Sequence, residues 1–310
     1  MEFGRVPSPD GIDFALPNDH PRTRDALAAA RRHSDKPKAP RVYLAAPVWN
    51  HDGFVGKIYP HDVRKGDYLA AYARQFEAIE LNSTFYGVRR DSLRKWREAV
   101  PQGFRFCPKF PRSITHDAAL VRVESEVARF ADAVRDLGSH LGPVWAVLPP
   151  TLDPSGRRHV EAFVDAVPDD LQLAIELRHA DWFRGSAADA LLDFFEERGT
   201  LAIVTDTAGR RDAIHQRLTA SSAIVRFTGN RLHPSDFTRI DAWIRRQVEW
   251  FEQGLETLWI FLHQPEEHET VELAEYWANG LTEALGVPVR APERVAPAPT
   301  QGQLFGETDG

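Results

Sequence analysis

The strongest constraint on the fold of this chain is an alternation of short β-branched or aromatic runs with longer amphipathic segments. This pattern is typical of βα units rather than of a β-sandwich. Eight runs predict strands, at Val42–Ala46, Ala78–Leu81, Arg105–Lys109, Val144–Leu148, Leu173–Leu177, Ala202–Thr205, Ala223–Phe227 and Leu258–Leu262. Seven segments with apolar residues at helical spacing predict helices, at Asp67–Gln75, Ser92–Val100, Glu124–Gly138, Gly156–Val167, Ser186–Arg198, Asp236–Gln253 and Thr270–Leu285.

This order and size predict an α/β fold, a single-domain (β/α)₈ barrel of the TIM type, which takes roughly 250 residues. A doubly wound open sheet is the competing architecture. It would usually offer a glycine-rich first turn for phosphate, whereas the turn at 45–49 reads Ala-Ala-Pro-Val-Trp. The sequence therefore favours the closed barrel.

The two ends of the chain differ in composition from the middle. Residues 1–40 are rich in Pro, Asp, Arg and Ala, with a short helical segment at Asp25–His33, and predict a flexible or loosely docked N-terminal extension. Residues 289–310 carry repeated Pro and Ala and predict a disordered tail. The barrel is therefore expected over residues 41–288.

Charge and cysteine usage exclude several classes of protein. The net charge of −7 argues against a basic nucleic-acid-binding surface. Cys107 is the only cysteine, so the chain forms neither an intrachain disulfide nor a cysteine-built zinc site. No apolar run reaches the roughly 18 residues of a membrane span, and the N-terminus lacks an apolar signal core. We therefore predict a cytoplasmic protein with no membrane segment.

Carboxylates interrupt apolar runs where three of the predicted strands end, at Glu80, Glu176 and Asp206. A charge in such a run costs several kcal/mol unless it is paired or faces a polar cavity. The carboxyl ends of barrel strands meet at one face, where such proteins place their functional groups. The sequence therefore predicts one site, to which other strand ends add Asn82, Lys109, Arg178, His179, Arg226 and His263.

Cations near these carboxylates suit general acid and base chemistry, because they hold one carboxyl ionised while burial keeps another protonated. We predict Glu80 and Glu176 for proton transfer and Lys109 and Arg178 for substrate charge, with Asp206 as a further catalytic candidate. The alternative is a set of buried ion pairs that tie adjacent strands together. The predicted substrate-binding residues are Asn82, Tyr86, Arg112, Arg178, His179, Trp182, Arg226 and His263.

Two other interpretations of these side chains stay open. Imidazole and carboxylate groups suit a divalent metal, for which the candidate ligands are Glu176, His179, Asp206 and His263. No fixed-spacing motif such as HExxH supports a metal, and no cofactor is identified. Aromatic residues follow the strands, Tyr86 and Trp182 among them. They either line a pocket for a sugar or base or pack the loops against the barrel.

Five separated motifs resemble, in order, the DUF72 (YecE-like) family. They lie at Ile79–Tyr86, Phe104–His116, Leu141–Pro150, Glu176–Phe183 and Thr205–Thr207. The resemblance implies a TIM-barrel-like fold and leaves the activity open, since the family name marks an unknown function. This chain departs from the family pattern at Ala46–Asn50, in place of a Gly-Thr-Ser-Gly-Trp-like turn, and at Phe261–Pro265, in place of Phe-Asn-Asn. Both departures are expected to line the pocket.

The tail carries Gln301-Gly302-Gln303-Leu304-Phe305, which is similar to the bacterial sliding-clamp-binding peptide at Gln301, Leu304 and Phe305. An ordinary polar tail is the other interpretation.

Three functions follow from the sequence as a whole. The leading one is an enzyme, a hydrolase, isomerase or lyase, that acts on a small polar substrate of anionic or sugar-like character. The alternatives are a DNA-repair or replication factor tethered to the sliding clamp and a non-catalytic barrel that binds a small ligand.

Overall fold

The computed structural model describes residues 3–32 and 39–296 and confirms the predicted mixed α/β fold. Each predicted strand is present, with its ends within one residue of the prediction. The strands are β1 (Arg41–Ala45), β2 (Ala78–Leu81), β3 (Arg105–Pro108), β4 (Val144–Val147), β5 (Leu173–Glu176), β6 (Leu201–Asp206), β7 (Ser222–Thr228) and β8 (Thr257–His263).

Helices join the strands, and they lie close to the predicted segments. They are α1 (Pro21–Arg32), α2 (Tyr68–Gln75), α3 (Arg90–Glu98), α4 (Glu124–Val134), α5 (Arg157–Ala166), α6 (Ser186–Glu197), α7 (Pro234–Gln253) and α8 (Thr270–Leu285). The connection from β6 to β7 is irregular and contains the short 3₁₀ turn Arg211–Ala213. The sequence likewise predicts no helix between these two strands.

The strands form a ring of parallel neighbours in which every pair except β1 and β2 is joined by backbone pairing among the described residues. Six of them pair in the order β1-β8-β7-β6-β5-β4, and β2 pairs with β3. Bridges between Phe106 and Leu141 and between Lys109 and Trp145 join β3 to β4. Between β1 and β2, the Tyr72 hydroxyl of α2 lies 2.8 Å from the Ala46 carbonyl oxygen and 2.9 Å from that of Ala78. The side chain of Tyr72 thus closes the remaining gap in the barrel.

Aromatic side chains fill the barrel interior. The rings of Tyr43 and Trp259 stack with centroids 3.9 Å apart, and Trp145 meets Phe261 edge to face at 4.5 Å. Two larger apolar clusters lie between the strands and the surrounding helices. Because the interior is packed with side chains, as in other barrels of this type, a ligand is expected only at its ends.

The N-terminal segment packs against the barrel. Helix α1 begins four residues before the predicted helical segment, and Leu27 of α1 is buried in a core cluster. The Thr23 hydroxyl donates to the Gln216 carbonyl oxygen at 2.7 Å. Among the described helices, none has the length and apolar character that crossing a bilayer requires.

Candidate functional site

Four charged or titratable side chains meet in one buried cluster at the carboxyl ends of β2, β3, β7 and β8. The Lys109 ammonium contacts Glu80 Oε1 directly, and His263 Nε2 lies 2.7 Å from Glu80 Oε2. Arg226 Nε lies 3.7 Å from the same Glu80 oxygen, and its NH2 group lies 3.0 Å from His263 Nε2. All four residues are buried. Glu80 therefore lies at the centre of a group drawn from four strands.

A second buried carboxylate, Glu176 at the end of β5, extends this cluster. Arg178 Nε donates to Glu176 Oε1 at 2.9 Å. Arg226 Nε lies 3.7 Å from Glu176 Oε2, as it does from Glu80 Oε2. The Arg226 guanidinium therefore lies between the two carboxylates and bridges β2 to β5.

The cations of the cluster keep both carboxylates ionised. Burial raises the pKa of Glu80, but the charges of Lys109 and Arg226, together with the hydrogen bond to His263, outweigh it and hold that pKa well below its usual range. Burial likewise opposes ionisation of Glu176, yet the guanidinium groups of Arg178 and Arg226 lower its pKa to about 2. Burial also lowers the pKa of the His263 imidazole to about 4. At neutral pH the cluster therefore holds two carboxylates and a neutral histidine.

A cavity of about 420 Å³ lies against this cluster, at the carboxyl ends of the strands. Several predicted site residues line it, namely Asn82, Tyr86, Lys109, Arg112, Arg178 and His263. Tyr86 is 85% exposed at the cavity mouth. Pro47 and Val48 after β1 also line the cavity, so the two segments that depart from the family pattern do face the pocket. Its volume suits a small molecule.

Glu267 is a cavity residue that the sequence analysis missed. It lies in the short turn Glu267–Glu269 after β8, and its Oε2 atom is buried without a hydrogen-bond partner among the described residues. Burial, together with the negative charge of Glu80, raises the pKa of Glu267 to about 7, against the opposing charges of Arg226 and Arg5. Glu267 is therefore the carboxyl group of this site that titrates near neutral pH.

His116 is a second cavity residue outside the predicted set of binding and catalytic residues. It lies in a single π-helical turn, Ser113–Asp117, after β3, a conformation that is rare and often found at functional sites. Its Nδ1 atom lies 2.8 Å from the Thr115 hydroxyl. Burial and the neighbouring Arg178 and Arg112 lower the pKa of His116. The imidazole is therefore neutral at neutral pH.

Asp206 lies in a different cluster from Glu80 and Glu176. Its carboxylate accepts from Arg239 NH2 at 2.7 Å and from the Trp243 indole at 2.6 Å, and it also contacts Arg211. Burial raises the pKa of Asp206, but Arg239 and Arg211 hold it below its usual value. Asp206 is not among the residues that line the cavity. The geometry thus matches the ion-pair alternative at this strand end.

Three predicted substrate-binding residues, Arg226, Trp182 and His179, are also not among the residues that line the cavity. Arg226 is buried in the cluster of Glu80 and Glu176. Trp182 is fully buried, and its indole donates to the Leu152 carbonyl oxygen at 2.7 Å. His179 accepts from the Asp181 backbone N–H at 3.2 Å and caps the turn that follows β5. Across the described ranges, no group of three or more His, Cys, Asp or Glu side chains is arranged to hold a metal ion. The predicted clamp-binding segment at 301–305 lies outside the described residues and stays a prediction.

A closed parallel barrel with a charged cavity at the carboxyl ends of its strands defines a TIM-type barrel protein. The profile of the family described as "Protein of unknown function DUF72" matches residues 43–299. The chain therefore belongs to the DUF72 family, as its motifs predict.

Individual relatives agree with this assignment. The chain is 29% identical over 287 residues to the UPF0759 protein YecE of Escherichia coli strain K12, covering 85% of this chain and 100% of that protein. It is 24% identical over 203 residues to the UPF0759 protein YunF of Bacillus subtilis strain 168, covering 61% and 70%. A crystal structure of a DUF72 family protein from Enterococcus faecalis V583 superposes with a TM-score of 0.63 at 17% identity, covering 84% of this chain and all of that one. This last match supports the fold alone.

Proposed function

We propose that this protein is an enzyme that binds a small anionic substrate in the cavity and transfers a proton to or from it. The observation that carries the proposal is that fixed cations and a carboxyl group that titrates near neutral pH line the same cavity. Lys109 and Arg178 line the cavity, and so does Glu267, whose pKa lies near 7. A group that titrates near the working pH is the most effective general acid or base.

In this proposal Glu80 and Glu176 organise charge rather than exchange protons. Both are fully buried and held ionised by cations, and neither is among the residues that line the cavity. Each instead contacts a cation that does line it, Lys109 for Glu80 and Arg178 for Glu176. Fixed cations in a site of low dielectric stabilise negative charge that develops on a substrate oxygen. The carboxylates therefore hold those cations in place.

Proton transfer is assigned to Glu267, with His116 as its partner. Glu267 is protonated in part of the population at neutral pH, so it serves as acid or base. The neutral imidazole of His116 lines the same cavity from the β3 side and is available as a base. The arrangement suits abstraction or donation of a proton beside a carboxylate or phosphate group. Hydrolase, isomerase and lyase reactions all contain such a step.

The test is a screen with small phosphate monoesters, sugar phosphates and hydroxy acids, in which product is detected by NMR. We expect turnover of at least one compound and its loss in Glu267→Gln. Glu266→Gln is the matched control, because Glu266 lies in the same loop but pairs with Arg231 on the surface. Equal turnover by Glu267→Gln and the wild type would contradict the proton-transfer role. A compound that binds at the cavity and is recovered unchanged would instead support the non-catalytic ligand-binding alternative.

A further inference from the structure

The N-terminal residues 3–11, here called the strap, cross the carboxyl face of the barrel beside the cavity. The Gly4 carbonyl oxygen accepts from the Gly209 backbone N–H at 2.8 Å and from the Thr207 hydroxyl at 2.9 Å. Thr207 follows β6 directly and is 1% exposed. Farther along the strap, Asp10 Oδ1 lies 3.3 Å from Nε2 of His233, the residue that caps α7. The strap is therefore attached at the ends of β6 and β7.

Glycine residues allow the strap to approach this closely. Gly4 has φ of +74°, and a Cβ atom there would lie 2.2 Å from Thr207 Cγ2. On the other side of the contact, a Cβ atom on Gly209 would lie 2.9 Å from the Gly4 carbonyl oxygen. Cβ atoms do not tolerate distances this short in packed proteins. A side chain at Gly4 would thus displace the strap.

The strap also contacts a residue of the cavity. The Phe3 ring lies between two guanidinium groups, with its centroid 4.7 Å from Arg178 Cζ and 4.8 Å from Arg210 Cζ. Both distances are within the range of attraction between a cation and an aromatic face. Arg178 is the cavity residue that contacts Glu176. Arg178 therefore contacts both the Glu176 carboxylate and the Phe3 ring of the strap.

The cavity is open over only part of the barrel. Its lining residues come from β4, from the end of β8 and from the segments that follow β1, β2, β3, β5 and β8. Among the described residues, none of them comes from β6 or β7. The strap and Phe14 cover that sector, where Phe14 packs over Arg211 and Arg239 at 5.1 and 4.9 Å. The matched family range begins at residue 43, so the strap lies outside it. This covering is contributed by a segment that the family profile does not include.

We propose that the strap, which covers the rim at β6 and β7 beside the site, is a positioning element for the anion-binding Arg178, and that Phe3 is the residue through which it acts. The inference rests on the proposed function, because it assigns Arg178 to the substrate anion. The strap orders the Arg178 side chain before the substrate arrives, which lowers the entropic cost of binding.

The test compares Gly4→Ala with Gly11→Ala. Both glycines have φ of +74°, so both variants carry the same backbone strain. A Cβ atom at Gly11 meets nothing within 4 Å, whereas one at Gly4 collides with Thr207. We expect hydrogen–deuterium exchange at the Gly209 amide to accelerate in Gly4→Ala and to stay at the wild-type rate in Gly11→Ala. Affinity for inorganic phosphate, measured by titration calorimetry, should fall about two- to fivefold in Gly4→Ala alone.

Phe3→Leu separates the effect of strap attachment from the effect of the Phe3 aromatic ring. It keeps an apolar side chain but removes the aromatic face, so we expect the same loss of phosphate affinity with unchanged exchange at Gly209. Wild-type phosphate affinity in Gly4→Ala, together with faster exchange, would overturn the role of the strap and leave the proposed function standing. No phosphate binding by the wild type would overturn the anion-binding part of the proposed function, and with it the assignment of Phe3.

Discussion

Replacing Glu80 with Gln should lower the free energy of unfolding by about 3–5 kcal/mol at neutral pH. Glu80 is 1% exposed, contacts Lys109 directly, and lies 2.7 Å from His263 Nε2. Arg226 adds a second cation at 3.7 Å. Removing one partner of a buried ion pair costs about this much, because the remaining charge stays buried without compensation.

The structure also sets an upper limit to the unfolding free energy that Glu80→Gln loses. Without Glu80, the Lys109 ammonium has the option of releasing its proton, and burial already lowers its pKa from the ordinary value of 10.5. Neutralising it at pH 7 costs about 5 kcal/mol, at about 1.4 kcal/mol per pKa unit. The unfolded variant would then bind a proton that the folded variant lacks, so its stability rises with pH. The penalty should therefore shrink by about 1.4 kcal/mol per pH unit.

Urea unfolding followed by tryptophan fluorescence, at about pH 7 and about pH 8.5, measures both effects. Glu126→Gln is the control, because Glu126 pairs with Arg129 on the surface, and we expect no measurable change at either pH. A loss below about 1 kcal/mol for Glu80→Gln at pH 7 would refute the assignment of Glu80 as the centre of a buried pair. A loss of equal size at both pH values would show that Lys109 keeps its proton.

Two further predictions concern the carboxyl groups of Asp206 and Glu267. Asp206→Asn should cost about 3 kcal/mol in the same unfolding assay, because buried Arg239 then keeps only its weaker ion pair with Asp236 at 3.3 Å. Phosphate affinity should stay at the wild-type value. A loss of phosphate affinity without a loss of stability would restore Asp206 to the site. Glu267 has a folded-state pKa of about 7 against an ordinary 4.5, so the folded protein holds the extra proton. The Glu267 contribution to stability should therefore be lost as pH rises from about 4.5 to about 7, opposite in sign to that of His263, whose pKa is lowered to about 4. Glu267→Gln lacks this falling contribution, so its stability should rise more steeply with pH than that of the wild type over this range.

The fold was predictable because strand and helix differ in the period of their apolar residues. A charged residue inside a strand-like run also marks the strand end, since a barrel buries its interior and keeps polar groups at its rim. Glu80, Glu176 and Lys109 were found in this way and do meet in space. The sequence pattern thus located the site residues that lie at the ends of strands.

Other parts of the site depend on contacts that no local pattern encodes. Glu267 lies in a turn after β8, and its raised pKa comes from burial and from Glu80, which is far away in sequence. Asp206 ends a strand as Glu80 does, but Phe14 and its neighbours cover that sector of the barrel. Strand position alone does not tell which sectors of the rim stay open. Three glutamates follow Pro265, at 266, 267 and 269, and the sequence does not tell which of them enters the cavity.

A buried ion pair is an expensive way to stabilise a barrel, because apolar residues of similar volume often stabilise a fold as well or better. If the pair of Glu80 and Lys109 serves the cavity rather than the fold, then replacing both residues should separate stability from binding. We expect Glu80→Leu combined with Lys109→Met to be about 2–3 kcal/mol more stable than Glu80→Gln at neutral pH, since no lone charge remains between the two positions. Arg226 keeps its contact with Glu176 in this double variant. Phosphate binding, measured by calorimetry, should nevertheless be lost, because Lys109 lines the cavity. A double variant as unstable as Glu80→Gln, or one that binds phosphate like the wild type, would show that the pair braces the barrel instead.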